Sequence, residues 1–133
     1  MKLNRKRILL ADCDEDYLVV LEKLLEDAGF DTTIAWGGKE ALELAHASAF
    51  DLALLSEYLP DAKCEEVLQA LQKYGRSTLC IVMHPNVPRI ADFLRFEGLG
   101  AKDIVCKRPY RQIVGVVREC LAWDAGEREV LAA

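Results

Sequence analysis

The sequence predicts a three-layer α/β domain, with a sheet of parallel strands covered by helices on both faces. Two observations carry this. Short apolar runs alternate five times with segments whose apolar residues recur at helical spacing. The clearest of those runs, Phe50 to Leu55, is nearly continuous in its apolar character, as suits a strand buried on both sides. Size agrees: 133 residues, 52% of them apolar, suit one domain with one core.

Taken in order, Arg7 to Ala11 is the first strand. Leu18, Leu21, Leu24, Leu25 and Ala28 then line a helix face, with Asp14 as N-cap and Gly29 as stop. Asp31 to Trp36 is rich in strand formers and is broken by Gly37-Gly38, after which Ala41, Leu42, Leu44 and Ala45 mark a second helix. Phe50 to Leu55 is the third strand, and Pro60-Asp61 opens a loop. Val67, Leu68 and Leu71 mark a third helix that ends near Gly75. Leu79 to Met83 is the fourth strand and Pro85 to Pro88 a loop. A fourth helix carries Ile90, Phe93 and Leu94 and is stopped by Gly98 and Gly100. Ile104 to Cys106 is the fifth strand; Ile113, Val116, Val117, Cys120 and Leu121 line the fifth helix, after Pro109. The reading is a single domain over residues 1–123 and a frayed tail over 124–133, without repeats or linkers.

The net charge of −5 argues against general nucleic-acid binding, and the one basic cluster is Lys2, Arg5, Lys6 and Arg7. The apolar run behind it, Ile8 to Ala11, is too short for a signal-peptide core or a membrane span, so a cytoplasmic location is the expectation. Cys13, Cys64, Cys80, Cys106 and Cys120 form no close pair, which reads as reduced thiols, with Cys80 and Cys120 as core filler.

In parallel α/β sheets the working site lies beyond the carboxyl ends of the strands. That rule selects Asp12, Cys13, Ser56, His84 and Lys107. The first loop, Asp12-Cys13-Asp14-Glu15-Asp16, has no glycine and is acidic, so it cannot cradle a dinucleotide or a triphosphate. Its carboxylates suit a hard divalent cation. The competing and favoured reading of Asp14, Glu15 and Asp16 is helix capping.

Four stretches in order and spacing carry a resemblance: Ile8-Leu9-Leu10-Ala11-Asp12, residues Ala35 to Leu42, residues Asp51 to Pro60, and residues Gly100 to Lys107 with Pro109-Tyr110. From Arg7 to about Trp123 the chain resembles the receiver domain of the two-component response-regulator family. The resemblance implies a flavodoxin-like (βα)5 fold with strand order 2-1-3-4-5. It also implies an Mg²⁺-assisted phosphoacceptor aspartate at the position of Ser56.

The departures bear on function. Asp12 matches the first member of the family's acidic pair, but Cys13 stands where the second, a metal ligand, is expected; a thiol is a soft ligand. His84 aligns with the phosphoryl-binding threonine or serine, and Ile104 with the switch aromatic. Lys107 matches the lysine, with Arg108 inserted after it, leaving open which of the two enters the pocket. An acyl phosphate needs a carboxylate nucleophile and a metal to neutralise phosphoryl charge. The expectation is therefore a degenerate phosphorylation pocket of Asp12, Cys13, Ser56, His84 and Lys107, with no aspartate phosphorylation and no metal beyond weak Mg²⁺ binding at Asp12. Strand alternation points Glu57 away from Ser56. Lys107 and Asp12 would pair and hold the pocket in one state.

Other readings compete at these positions. Ser56 and His84, with Asp12 as orienting acid, are the parts of a hydrolase, but the Gly-x-Ser-x-Gly elbow is missing. Cys13, Cys106 and His84 could form a soft metal site or thiol pair, without motif spacing. Trp36, Tyr58, Tyr110 and Trp123 have no assigned role; Trp123 reads as a contact residue or as a ring at the domain rim. The leading expectation is a non-enzymatic pseudo-receiver, a phosphorylation-independent adaptor for a signalling protein, with no nucleic-acid or membrane partner. Its interaction face, by resemblance, is the fourth helix, fifth strand and fifth helix, through Ile90, Phe93, Leu94, Ile104, Val116 and Glu119, which also serves for homodimers. The alternatives are a conventional response regulator with unusual phosphorylation chemistry and a small thiol, metal or Ser-His enzyme. The chain is either a stand-alone adaptor or a piece of something longer.

Overall fold

The computed structural model describes residues 5–74 and 77–132, with side chains as far as residue 122. Five strands, β1 (Arg7–Ala11), β2 (Asp31–Ala35), β3 (Leu52–Ser56), β4 (Leu79–His84) and β5 (Asp103–Cys106), pair in parallel in the order β2-β1-β3-β4-β5. Helices α1 (Glu15–Asp27), α2 (Gly38–Ala47), α3 (Cys64–Tyr74), α4 (Ile90–Glu97) and α5 (Tyr110–Ala132) alternate with them. This is the predicted three-layer (βα)5 fold with the predicted strand order.

Strand alternation divides the core in two. Leu9, Ala11, Ala53, Leu55, Cys80, Val82 and Ile104 pack with Ala41 and Ala45 of α2, Val67 and Leu68 of α3, and Phe96 of α4. Ile8, Leu10, Leu52, Leu54, Ile81, Met83 and Val105 pack with Tyr17, Leu18 and Leu21 of α1 and Ile113 and Val117 of α5. Each central strand is therefore buried on both faces, which is why the sequence shows apolar runs instead of a two-residue alternation.

Helix ends follow local chemistry. The Asp14 carboxylate accepts the Tyr17 N–H at 3.1 Å, capping α1. Gly29, at φ +97°, takes the left-handed turn after α1. The first residues of α2 have no adjacent side-chain cap; Asp61 supplies one from the β3–α3 loop, accepting from Gly38 N–H at 2.6 Å and Lys39 N–H at 3.3 Å. A Cβ on Gly38 would lie 2.7 Å from Ala62, so this glycine lets the loop press against the start of α2.

Boundaries move by a residue or two. β2 ends at Ala35, with Trp36 exposed, and β3 begins at Leu52 and takes in Ser56. β4 extends to His84. Residues 124–132, expected to fray, continue α5; their Ala, Glu, Arg and Leu content favours helix. Lys2, Gly75 and the side chain of Trp123 lie outside the described residues. No described helix is long and apolar enough to cross a membrane.

Candidate functional site

The β1–β3 register sets Ala11 beside Leu55, so the next residues, Asp12 and Ser56, stand side by side at the carboxyl end of the sheet. Asp12 is 1% exposed and Ser56 4% exposed. The Asp12 Oδ1 accepts N–H bonds from Cys13 at 2.7 Å and Asp14 at 3.1 Å. Lys107 Nζ lies 2.6 Å from Oδ2, an ion pair whose angles fall outside hydrogen-bond geometry. Both oxygens are thereby occupied. The Ser56 hydroxyl makes one long bond, donating to the Tyr58 carbonyl at 3.4 Å.

Lys107, not the exposed Arg108, enters the pocket. Tyr17 guides it. The Tyr17 hydroxyl donates to the Lys107 carbonyl at 2.7 Å, its ring lies 4.3 Å from the ammonium, and it stacks on Tyr110 at 5.0 Å. Burial, and secondarily the Asp12 charge, push the Tyr17 hydroxyl well above the ordinary tyrosine range. Sequence reasoning passed over Tyr17. Its signal is its position three residues after the Asp14 cap and one turn before Leu21, on the buried face of α1.

His84 does not join this pocket, which corrects the expectation drawn from the alignment. Ser56 pairs with Met83, and Met83 faces α1 and α5. His84 is one residue further along β4, so it takes the opposite side, with Cys80 and Val82. Glu57, whose N–H donates to the Met83 carbonyl at 3.0 Å, continues β3 onto that same side. The result is a second cluster. His84 Nε2 lies 3.1 Å from Glu57 Oε2 and 3.6 Å from Asp92 Oδ2 of α4. Arg95 reaches Glu57 Oε1 at 3.3 Å and Glu65 Oε2 at 2.6 Å. Alternation did point Glu57 away from Ser56, but its partners come from β4 and α4, distant in sequence.

Cys13 is exposed and lines an open cavity of about 500 Å³ with Glu57, Tyr58, Pro60, Lys63, Cys64 and Arg95. Burial pushes the thiols of Cys64 and Cys80 up to about 12, so both stay protonated at neutral pH. Ile104 is 4% exposed and sits in the core, so it is removed from the expected interaction face. Val116 is half-buried and Glu119 exposed. On α4 and the loop before it, Val87, Ile90, Phe93 and Leu94 are exposed together. Tyr58 is also exposed.

The family model for the response regulator receiver domain matches residues 8–117. The chain belongs to this family. As a receiver domain of the two-component response-regulator type, it is 33% identical over 117 residues to the transcriptional regulatory protein CpxR of Escherichia coli, covering 86% of this chain and 49% of that protein. It is 31% identical over 105 residues to the uncharacterized transcriptional regulatory protein YkoG of Bacillus subtilis, covering 79% of this chain and 46% of that protein. The chain thus spans about half the length of these curated relatives. A CheY-like receiver domain from Methanospirillum hungatei superimposes with a TM-score of 0.85 at 26% identity, covering 93% of this chain and 99% of that one. Receiver domains act through protein partners in signalling.

The resemblance implies an Mg²⁺ ion at this pocket. Mg²⁺ demands oxygen ligands in octahedral array. Both Asp12 oxygens are engaged, a thiol follows at Cys13, and Ser56 offers a neutral hydroxyl. This donor set does not fit the ion.

Proposed function

We propose that this receiver domain is a pseudo-receiver, a non-enzymatic, phosphorylation-independent interaction module. The observation that carries the reading is the closed state of the pocket: Asp12 holds Lys107 and two backbone N–H groups, beside a buried serine. A serine cannot form an acyl phosphate, and a neutral hydroxyl does not draw in the metal that would offset phosphoryl charge. The exposed apolar side chains Val87, Ile90, Phe93 and Leu94 support a protein partner on α4. A second copy of the chain is one such partner.

Incubation with acetyl phosphate and Mg²⁺, followed by intact-mass measurement, tests this reading. The unmodified mass is the expected result. A stable phosphoryl adduct would favour a conventional regulator with unusual chemistry and overturn the proposal.

A further inference from the structure

The Glu57–His84–Asp92 cluster has no part in the pocket around Asp12, and no part in the proposed function depends on it. Among the described residues it is the one group of three or more histidine, cysteine or acidic side chains whose ligand atoms converge, all within 4.8 Å of one another. We propose that it is a binding site for a borderline divalent transition cation, with Zn²⁺ as the probe, held by Glu57 Oε2, His84 Nε2 and Asp92.

The geometry suits such an ion. With metal–ligand distances of about 2.0–2.1 Å, ligand separations of 3.1 Å and 3.6 Å subtend roughly 100° and 120° at the metal, bracketing the tetrahedral angle. All three ligand atoms lie within 4.8 Å of one another, and Asp92 Oδ2 also accepts the Arg89 N–H at 2.8 Å, which fixes its carboxylate at the start of α4. One imidazole nitrogen with two carboxylates suits zinc-like cations better than magnesium. Three protein ligands leave a further position for water.

Two further observations point the same way. Glu57 is 6% exposed at its side chain, yet its buried Oε2 has no aligned hydrogen-bond donor. Arg95 approaches the other oxygen, Oε1, and leaves Oε2 toward His84. A buried carboxylate oxygen in that condition is expensive to maintain. The histidine is also oriented as ligands are. Its Nδ1 lies 2.9 Å from the Asn86 carbonyl, so an Nδ1–H donating there frees the Nε2 lone pair toward the two carboxylates. The Asn86 N–H, 3.0 Å from the same nitrogen, serves the other tautomer, and cation binding selects the first.

The test is Zn²⁺ competition against a chromophoric chelator, using the whole chain. One Zn²⁺ per chain is expected. Glu57→Gln, His84→Gln and Asp92→Asn should each weaken binding at least tenfold, with circular dichroism confirming that each variant is folded, and Cys13→Ser should leave it unchanged. In the unsubstituted protein, Zn²⁺ should move the ring resonances of His84 and leave those of His46 in place. The Co²⁺ form should lack an intense thiolate charge-transfer band. Zinc uptake that survives His84→Gln and Glu57→Gln, uptake lost in Cys13→Ser with a thiolate band in the Co²⁺ form, or no uptake at all would each overturn the assignment. Phosphorylation plays no role in any of these readouts, so this proposal can fail while the pseudo-receiver reading stands.

Discussion

Replacing Lys107 with methionine is the sharpest test of the closed pocket. Methionine keeps most of the lysine stem and its packing over Tyr17 but removes the ammonium 2.6 Å from Asp12. Asp12 is 1% exposed, so its charge is left without a counterion in a site that water reaches poorly. Breaking a buried pair from one side costs about 3–5 kcal/mol. Two terms reduce this: the N–H bonds from Cys13 and Asp14 remain on Oδ1, and the Lys107 side chain is 16% exposed, so some water can enter. The expected loss is therefore about 2–3 kcal/mol, or roughly 10 °C in Tm for a domain of this size. Urea denaturation at pH 7 with linear extrapolation measures it. The second half of the experiment is Asp12→Asn combined with Lys107→Met. If the uncompensated charge is the cause, the double variant regains at least half the loss, because the amide oxygen still accepts both N–H bonds. A Lys107→Met loss below about 1 kcal/mol, or a double variant no more stable than the single one, would refute the electrostatic account.

Three further outcomes follow from the same contacts. Tyr17→Phe removes the bond to the Lys107 carbonyl and should cost about 1 kcal/mol. The folded state holds the Tyr17 proton beyond the ordinary value of 10.0, so the contribution of this group is constant below pH 10 and falls as pH rises above it; urea midpoints across that range should fall less steeply in the phenylalanine variant. Asp61→Ala uncaps α2 and should lower the midpoint of thermal unfolding, with no change in the pocket. Ile90→Glu with Leu94→Glu, both on the exposed face of α4, should change stability by less than about 0.5 kcal/mol yet abolish capture of the partner protein.

The order and type of every element were legible because each carries its own local signal: a cap at Asp14, a stop at Gly29, a continuous apolar run in β3. The Asp12–Lys107 pair was legible too, since both residues follow strands at the carboxyl end of the same sheet. What was not legible depends on where strands end. Extending β4 by one residue to His84 decides by parity that its ring joins Val82's side and leaves the Asp12 pocket. The resemblance treated His84 as a positional equivalent and held no signal for its partners, Glu57 of the β3 end and Asp92 of α4. Ile104 was carried onto the interaction face by the resemblance alone; its side chain packs in the core with Phe96 of α4. Asp61 capping α2 and Arg95 reaching β3 are contacts between elements far apart in the chain, for which composition and spacing hold no signal.

Two consecutive residues at the end of β3 divide the work of this domain. Ser56 turns toward Asp12, where a neutral hydroxyl leaves the Asp12–Lys107 pair undisturbed. Glu57 turns toward α4, the helix that buries only Phe96 and whose other attachments are charged: Asp92 to His84, and Arg95 to Glu57 and Glu65. A helix with a single buried side chain, held otherwise by a charge cluster, is among the easier elements to shift, because little buried area opposes its movement. The exposed side chains Ile90, Phe93 and Leu94 ride on that helix. On the pseudo-receiver reading proposed above, the ion pairs around Glu57 fix the position of α4 and its exposed apolar side chains, one residue beyond Ser56.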